Sequence, residues 1–229
     1  MQYASKGWQV GITARRKELL DALQQEFPGQ IITSCFDITA PNNVQLLDDL
    51  IQKMNGIHLF IYCSGIGEIS TQPNWEIDEK VIATNVTACT KCCGHIFNYF
   101  VQKGSGQIAI ISSIAAVRGG SSAPSYNASK AFVSSYAESL NLQAITLQKD
   151  IIITDVKPGF VNTSMAKGGG KFWVMPVDKI CRQIYQAIQA KQRKVVVSKR
   201  WRLITFLMAI MPDFIFIQLT KRMAAKRQQ

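Results

Sequence analysis

QIAIIS at 107–112, YNASKAFVSSYAESLNLQAITLQ at 126–148 and IIITDV at 151–156 decide the fold. The first and third are short apolar runs, which read as buried strands. The stretch between them is long and amphipathic, which reads as a helix. A strand, a crossover helix and a second strand form a βαβ unit with parallel strands. The same alternation runs outward in both directions. It predicts strands over 8–13, 31–36, 57–62, 107–112, 151–156 and 195–198, and helices over 17–26, 42–54, 76–102, 126–148 and 176–190. The fold class is therefore α/β, a doubly wound, mostly parallel sheet. The breaks at Pro28-Gly29, Gly104-Ser105-Gly106 and Gly168-Gly169-Gly170 separate elements and do not resemble domain linkers.

The chain has 229 residues, 47% hydrophobic, enough for one substantial buried core. With 18% charged residues and seven prolines, disorder and fibrous classes are excluded. Cys35, Cys63, Cys89, Cys92, Cys93 and Cys181 are irregularly placed, and no secretory signal pattern follows Met1. A reducing cytoplasm is the expected location.

The net charge is +11, and ten Lys/Arg with one acid, Asp213, lie from Lys191 onward. That basic segment brackets the apolar run LITFLMAIMPDFIFIQL at 203–219, so nucleic acid is not the expected partner. Pro212-Asp213 interrupts the run, which is short for a spanning helix. The segment 199–229 is thus expected to be a basic-apolar helical tail on a 1–198 body. It serves either as an anchor at a membrane surface or as a flap packed on the protein or a partner subunit.

In sheets of this kind ligands bind beyond the carboxyl ends of the strands, here the loops at 14–16, 37–39, 63–67, 113–125 and 157–170. Tyr126 and Lys130, at i and i+4, share one face of a helix start. An ammonium beside a phenol is expected to lower its pKa, so the pair can pass a proton to or from a carbonyl oxygen. Ser113, at a strand end, can donate to the same oxygen, and Asn85 is a polar residue in an apolar stretch.

Ile110-Ile111-Ser112-Ser113, then Tyr126-x-x-x-Lys130, then Val156-Lys157-Pro158-Gly159-Phe160-Val161-Asn162-Thr163, in that order on this scaffold, resemble the short-chain dehydrogenase/reductase family. The resemblance covers roughly residues 1–198. It implies a Rossmann-like oxidoreductase that moves hydride between NADP(H) and a carbonyl/alcohol pair. Ser113, Tyr126 and Lys130 fall on its catalytic positions, and Asn85 on the asparagine of its proton relay. It also implies cofactor contacts at Asp37 and Ile38, at Cys63, Ser64 and Gly65, at Asn85, Tyr126 and Lys130, and at Pro158, Gly159, Val161 and Thr163. Arg15 and Arg16 stand where an NAD-preferring relative carries an acid, which favours NADP(H) over NAD(H). A homo-dimer or tetramer through 76–102 and 126–148 is implied as well. The tail, with Phe172, Trp173 and Met175, points to a lipophilic small-molecule substrate.

Two departures qualify the resemblance. Cys63-Ser64-Gly65 replaces Asn-Ala-Gly, and a thiol cannot reproduce the hydrogen bonds of an amide. The family's first strand and glycine-rich turn are not found, since residues 1–7 read as the end of the following helix. A sheet lacking its central strand, weak dinucleotide binding and an origin in a longer protein are the expectations. The alternative functions are an inactive truncated form of such an enzyme and a membrane-associated binding protein without catalysis. Cys89-x-x-Cys92-Cys93 with His95 reads as core packing on one helix, and no metal site is expected.

Overall fold

The computed structural model describes residues 2–70, 72–162 and 173–225. Strands and helices alternate as β1 (Val10–Ala14), α1 (Lys17–Glu26), β2 (Ile31–Cys35), α2 (Asn43–Lys53), β3 (Leu59–Tyr62), α3 (Trp75–Val81), α4 (Cys89–Lys103), β4 (Ser105–Ile111), α5 (Pro124–Thr146), β5 (Asp150–Pro158), α6 (Val177–Gln189) and β6 (Lys194–Val197), followed by α7 (Lys199–Ile210) and α8 (Asp213–Ala225). Every ladder between these strands is parallel. The strands form two sheets, β2–β1 and β3–β4–β5–β6. The longest register joins Ser105–Ile111 of β4 to Asp150–Val156 of β5.

The core lies around the larger sheet. Ile108, Ala109, Ile110 and Ile153 on the strands, and Cys89, Cys92, Cys93, Ile96 and Phe100 on α4, are completely buried. Phe100 lies flat over β4 because residue 106 is glycine: a Cβ there would stand 2.2 Å from the ring. Burying one such side chain contributes roughly 1.5–3 kcal/mol. The cysteine cluster thus packs in the core, and His95 turns away from it to meet Asp48 of α2 at 2.6 Å.

The smaller sheet is covered less completely. All five residues of β1 are half-buried. Among the described residues β1 pairs only with β2, and β3 only with β4. The free edges of both line a cavity of about 730 Å³, whose walls include Val10, Ile12, Leu59, Ile61 and Tyr62. The doubly wound sheet therefore occurs in two pieces with a slot between them.

The single helix expected over 76–102 is corrected to α3, a π-helical turn (Ile82–Ala88) and α4. Such a widened turn is rare and typically accommodates one side chain with special demands. Here that residue is Asn85. The tail forms α7 and α8, broken at Met211-Pro212. Proline disfavours helical backbone in the residue before it, and Met211 is extended, with φ −67° and ψ 128°. No helix among the described residues is long and apolar enough to cross a membrane.

Candidate active site

The carboxyl end of β4 delivers Ser113, and the first turns of α5 deliver Tyr126 and Lys130. The Ser113 hydroxyl stands close enough to the Tyr126 phenol to act on its pKa. Ser113 also accepts from the Ala115 amide at 3.1 Å, which fixes its rotamer and leaves its proton to donate. Lys130 is buried, with its ammonium 5.8 Å from the centre of the Tyr126 ring and donating to the Ile111 carbonyl at 2.9 Å. The loop after β3 closes on these groups. A Cβ at Gly65 would stand 3.0 Å from Lys130 Nζ, a tight contact, and one at Gly67 would stand 2.6 Å from the Tyr126 ring, so glycine at 67 is what allows this approach.

Asn85, 1% exposed, ties that loop to α5. It accepts from the Ile66 amide at 2.8 Å, and it donates to the Ile66 carbonyl at 2.8 Å and to Ser129 Oγ at 3.0 Å. Ser129 donates in turn to the Tyr126 carbonyl at 2.8 Å. An unbroken chain of polar contacts thus runs from the glycine loop to the turn bearing the phenol.

The electrostatics differ from the sequence expectation. Burial raises the Tyr126 pKa, and the Ser113 hydroxyl opposes that rise. The expected lowering by Lys130 is corrected, because the amine turns toward Ile111 rather than the phenol oxygen. Burial pushes Lys130 itself down to about 8, against the pull of Cys89, Cys63 and Asp155. In this protein the phenol is held protonated while the amine, although pushed down to about 8, still carries most of its charge at neutral pH, an arrangement suited to donating a proton.

The cofactor positions separate into two groups. Gly65, Asn85, Tyr126 and Lys130 converge, with Ser64 and Cys63 between them and the slot. Pro158 ends β5, Gly159 packs against Trp201, and Val161 bridges to Met175. Thr163 and the glycine run at 168–170 lie outside the described residues, as does Phe172. The other group stands at the end of the smaller sheet. Thr39 donates to Asp37 through its amide at 2.9 Å and its hydroxyl at 2.7 Å, and these bonds are the main cause of the low carboxyl pKa. Arg15 reaches the same carboxylate at 3.5 Å, Arg16 is exposed at the start of α1, and the Ile38 carbonyl accepts from Asn43 at 2.6 Å.

Several functional neighbours escaped the sequence reading. Asp155, 1% exposed, accepts from Ser112, Ser134 and Lys157, and so binds the ends of β4 and β5 directly beneath the site. Asn127 donates to the carbonyls of Ala115 at 3.1 Å and Arg118 at 3.0 Å, shaping the loop after β4. Arg118 donates to the Met208 and Met211 carbonyls and pairs with Asp213, which joins this loop to α7 and α8. The polar residues within Tyr126–Lys130 were the available signal for Asn127 and Ser129; nothing local marks Asp155 or Arg118.

A half-buried phenol and hydroxyl and a buried amine, gathered at the carboxyl end of a parallel sheet, form a candidate dehydrogenase/reductase site of the Rossmann-like class. The chain belongs to the short chain dehydrogenase family, whose profile matches residues 1–171. It is 28% identical over 234 residues to an uncharacterized oxidoreductase, Rv0945, of Mycobacterium tuberculosis, covering 97% of this chain and 90% of that one. Among solved structures, a short-chain dehydrogenase from Sphingobium yanoikuyae in complex with NADPH aligns with a TM-score of 0.75 at 23% identity, over 93% of this chain and 90% of that one. A family member from Burkholderia phymatum in complex with NAD aligns with a TM-score of 0.78 at 15% identity, over 89% and 85%. The protein is an oxidoreductase of this family.

Proposed function

We propose that this oxidoreductase transfers hydride reversibly between NADP(H) and a lipophilic ketone/alcohol pair. The observation that carries the reading is the convergence of Tyr126 with a buried lysine, 5.8 Å from its ring and bonded to the Ile111 carbonyl, at the strand end that carries Ser113. The bound nicotinamide supplies or accepts the hydride. Ser113 orients the carbonyl oxygen and stabilises its developing charge. Tyr126, protonated by virtue of its burial, delivers the proton in reduction. Lys130 lies where it can hold the ribose hydroxyls and supply charge beneath the phenol. Asn85 and Ser129 hold the Tyr126 turn in register with the glycine loop, and Asn85 supports the water that reloads the proton.

For the nicotinamide half of such a cofactor, Gly65 and Gly67 bring the loop backbone against Lys130 and Tyr126, and these residues would hold it. Toward the other half, Asp37 and Ile38 would contact the adenine. Arg15 and Arg16 present two guanidinium groups for a 2′-phosphate, the basis for preferring NADP(H) over NAD(H). In this reading residues 1–198 form the catalytic body. Exposed Phe132, Leu142 and Ile145 on α5 support a homo-dimer or tetramer. The tail 199–229 gives a cytoplasmic enzyme peripheral contact with a membrane surface.

The test is Tyr126→Phe assayed with NADPH and a panel of aliphatic and aryl ketones. Loss of the proton donor is expected to lower kcat by about 10²–10⁴-fold with the fold intact by circular dichroism. Unchanged turnover overturns the mechanism.

A further inference from the structure

α7 is apolar on two opposite faces, and among the described residues only one of them is covered. Trp201 and Thr205 are buried, with Trp201 5.3 Å from the Phe160 ring, so the inner face is packed on the end of β5. Leu203, Phe206, Leu207 and Ile210, at i, i+3, i+4 and i+7, form an outer stripe that faces solvent; Phe206 and Ile210 are each 61% exposed. The stripe is followed along the chain by Phe214, Ile217 and Leu219 on α8, the first of them 68% exposed. A soluble helix normally shows one apolar stripe. A second one, extended over two helices, requires an occupant.

The charges around the stripe select the occupant. Lys199, Arg200 and Arg202 stand exposed on the first turn of α7, and Lys221 and Arg222 near the end of α8. Lys226 and Arg227 follow in the sequence. The one acid of the segment, Asp213, is held by Arg118, whose guanidinium also lies 4.4 Å from the centre of the Phe216 ring. Lys179, Lys199, Arg200 and Arg202 together line an open groove of about 770 Å³ at the root of α7. An apolar stripe with cations at both ends complements an anionic lipid surface, in which acyl chains lie beneath a negative head-group layer. It does not complement a second copy of itself, since a two-fold interface sets like patches against each other and would bring these cations together. At 12 residues α7 is about 18 Å long, against roughly 30 Å for the hydrocarbon core, so it lies on the bilayer rather than across it.

We infer that α7 and α8 seat the protein on an anionic bilayer, with Leu203, Phe206, Leu207, Ile210 and Phe214 in the acyl boundary and the flanking lysines and arginines among the head groups. This gives the membrane contact of the preceding section its lipid chemistry and its residues, and it is independent of the catalytic reading. The Arg118 clamp sets the seated surface beside the loop that carries Ser113.

Flotation of the full chain with phosphatidylcholine vesicles, with and without phosphatidylserine, at low and high salt tests the proposal. Binding is expected only with phosphatidylserine, and it weakens as salt rises. Arg200→Gln with Arg202→Gln, both on exposed positions, is expected to reduce it roughly 25-fold, about fivefold per cation. Phe206→Ser with Ile210→Ser should reduce it by at least about tenfold while the melting temperature holds. Tyr126→Phe leaves binding unchanged, which separates this proposal from failure of the catalytic one. Absence of binding, or equal binding to neutral vesicles, overturns it. So does conversion of a dimer to monomers by the Phe206/Ile210 pair with vesicle binding intact, because the occupant is then a second copy.

Discussion

β4 and β1 are both short parallel strands that end near the proposed site, yet they are held differently. β4 pairs on both sides, with Ile108 and Ile110 sealed under α4 and Ala109 buried on the opposite face. Among the described residues β1 pairs on one side, faces a cavity on the other and leaves every residue half-buried. The groups proposed for proton transfer stand on the first scaffold; the arginines proposed to choose the cofactor stand on the second. Chemistry is thus proposed for the part more deeply packed and paired on both sides, and dinucleotide recognition for a part whose ladder bonds and packing are fewer.

The contrast breaks most visibly in stability. Phe100→Ala, which empties the space over Gly106, is expected to cost about 3–5 kcal/mol in urea unfolding, whereas Ile12→Ala on half-buried β1 costs under half of that. Equal losses would mean that the two sheets are one cooperative unit of uniform packing. Hydrogen exchange resolves the same difference by strand. Amides of Ile108 and Ile110 are expected to exchange at least about a hundredfold more slowly than those of β1, and matching rates would remove the distinction.

Replacing Arg15 and Arg16 with glutamine is expected to raise KM for NADPH about tenfold, roughly 1.4 kcal/mol, with kcat and the NADH kinetics little changed. An equal effect on both cofactors would show that the arginines do not read the 2′-phosphate. The smallest effect is a pH dependence. Folded Lys130 releases its proton at about 8, while the unfolded lysine holds it to the ordinary 10.5. The unfolded state therefore binds more protons between these values, and the burial penalty is relieved as pH rises through them. Wild type should gain about 1 kcal/mol relative to Lys130→Met between roughly pH 7.5 and 9. Parallel stability curves for the two proteins would show that the buried amine carries no such penalty.

Much of the scaffold was legible because its signals are local. The apolar runs at 31–36 and 107–112 correspond to β2 and β4, and α1 spans the predicted 17–26. Tyr126 and Lys130 could be paired from their spacing, and Ser113 from its place at a strand end. The long helix over 76–102 could not be divided in advance, because the π-helical turn exists to let Asn85 meet Ile66, 19 residues earlier. Asp155 was invisible for the same reason, since its partners come from three elements. The tail's two helices and their break followed from Pro212, but which apolar face would be covered did not.

The amino-acid sequence by itself determined the alternation of strands and helices, the helical face shared by Tyr126 and Lys130, and the basic-apolar character of the tail. Each depends on periodicity or on charge within a few residues. Only the tertiary structure decided that Lys130 turns to the Ile111 carbonyl and that Tyr126 keeps its proton. It also decided that Arg118 grips the tail from 90 residues away. Desolvation and hydrogen-bond partners are set by whatever distant segments are packed around a group, and a local pattern carries no record of them.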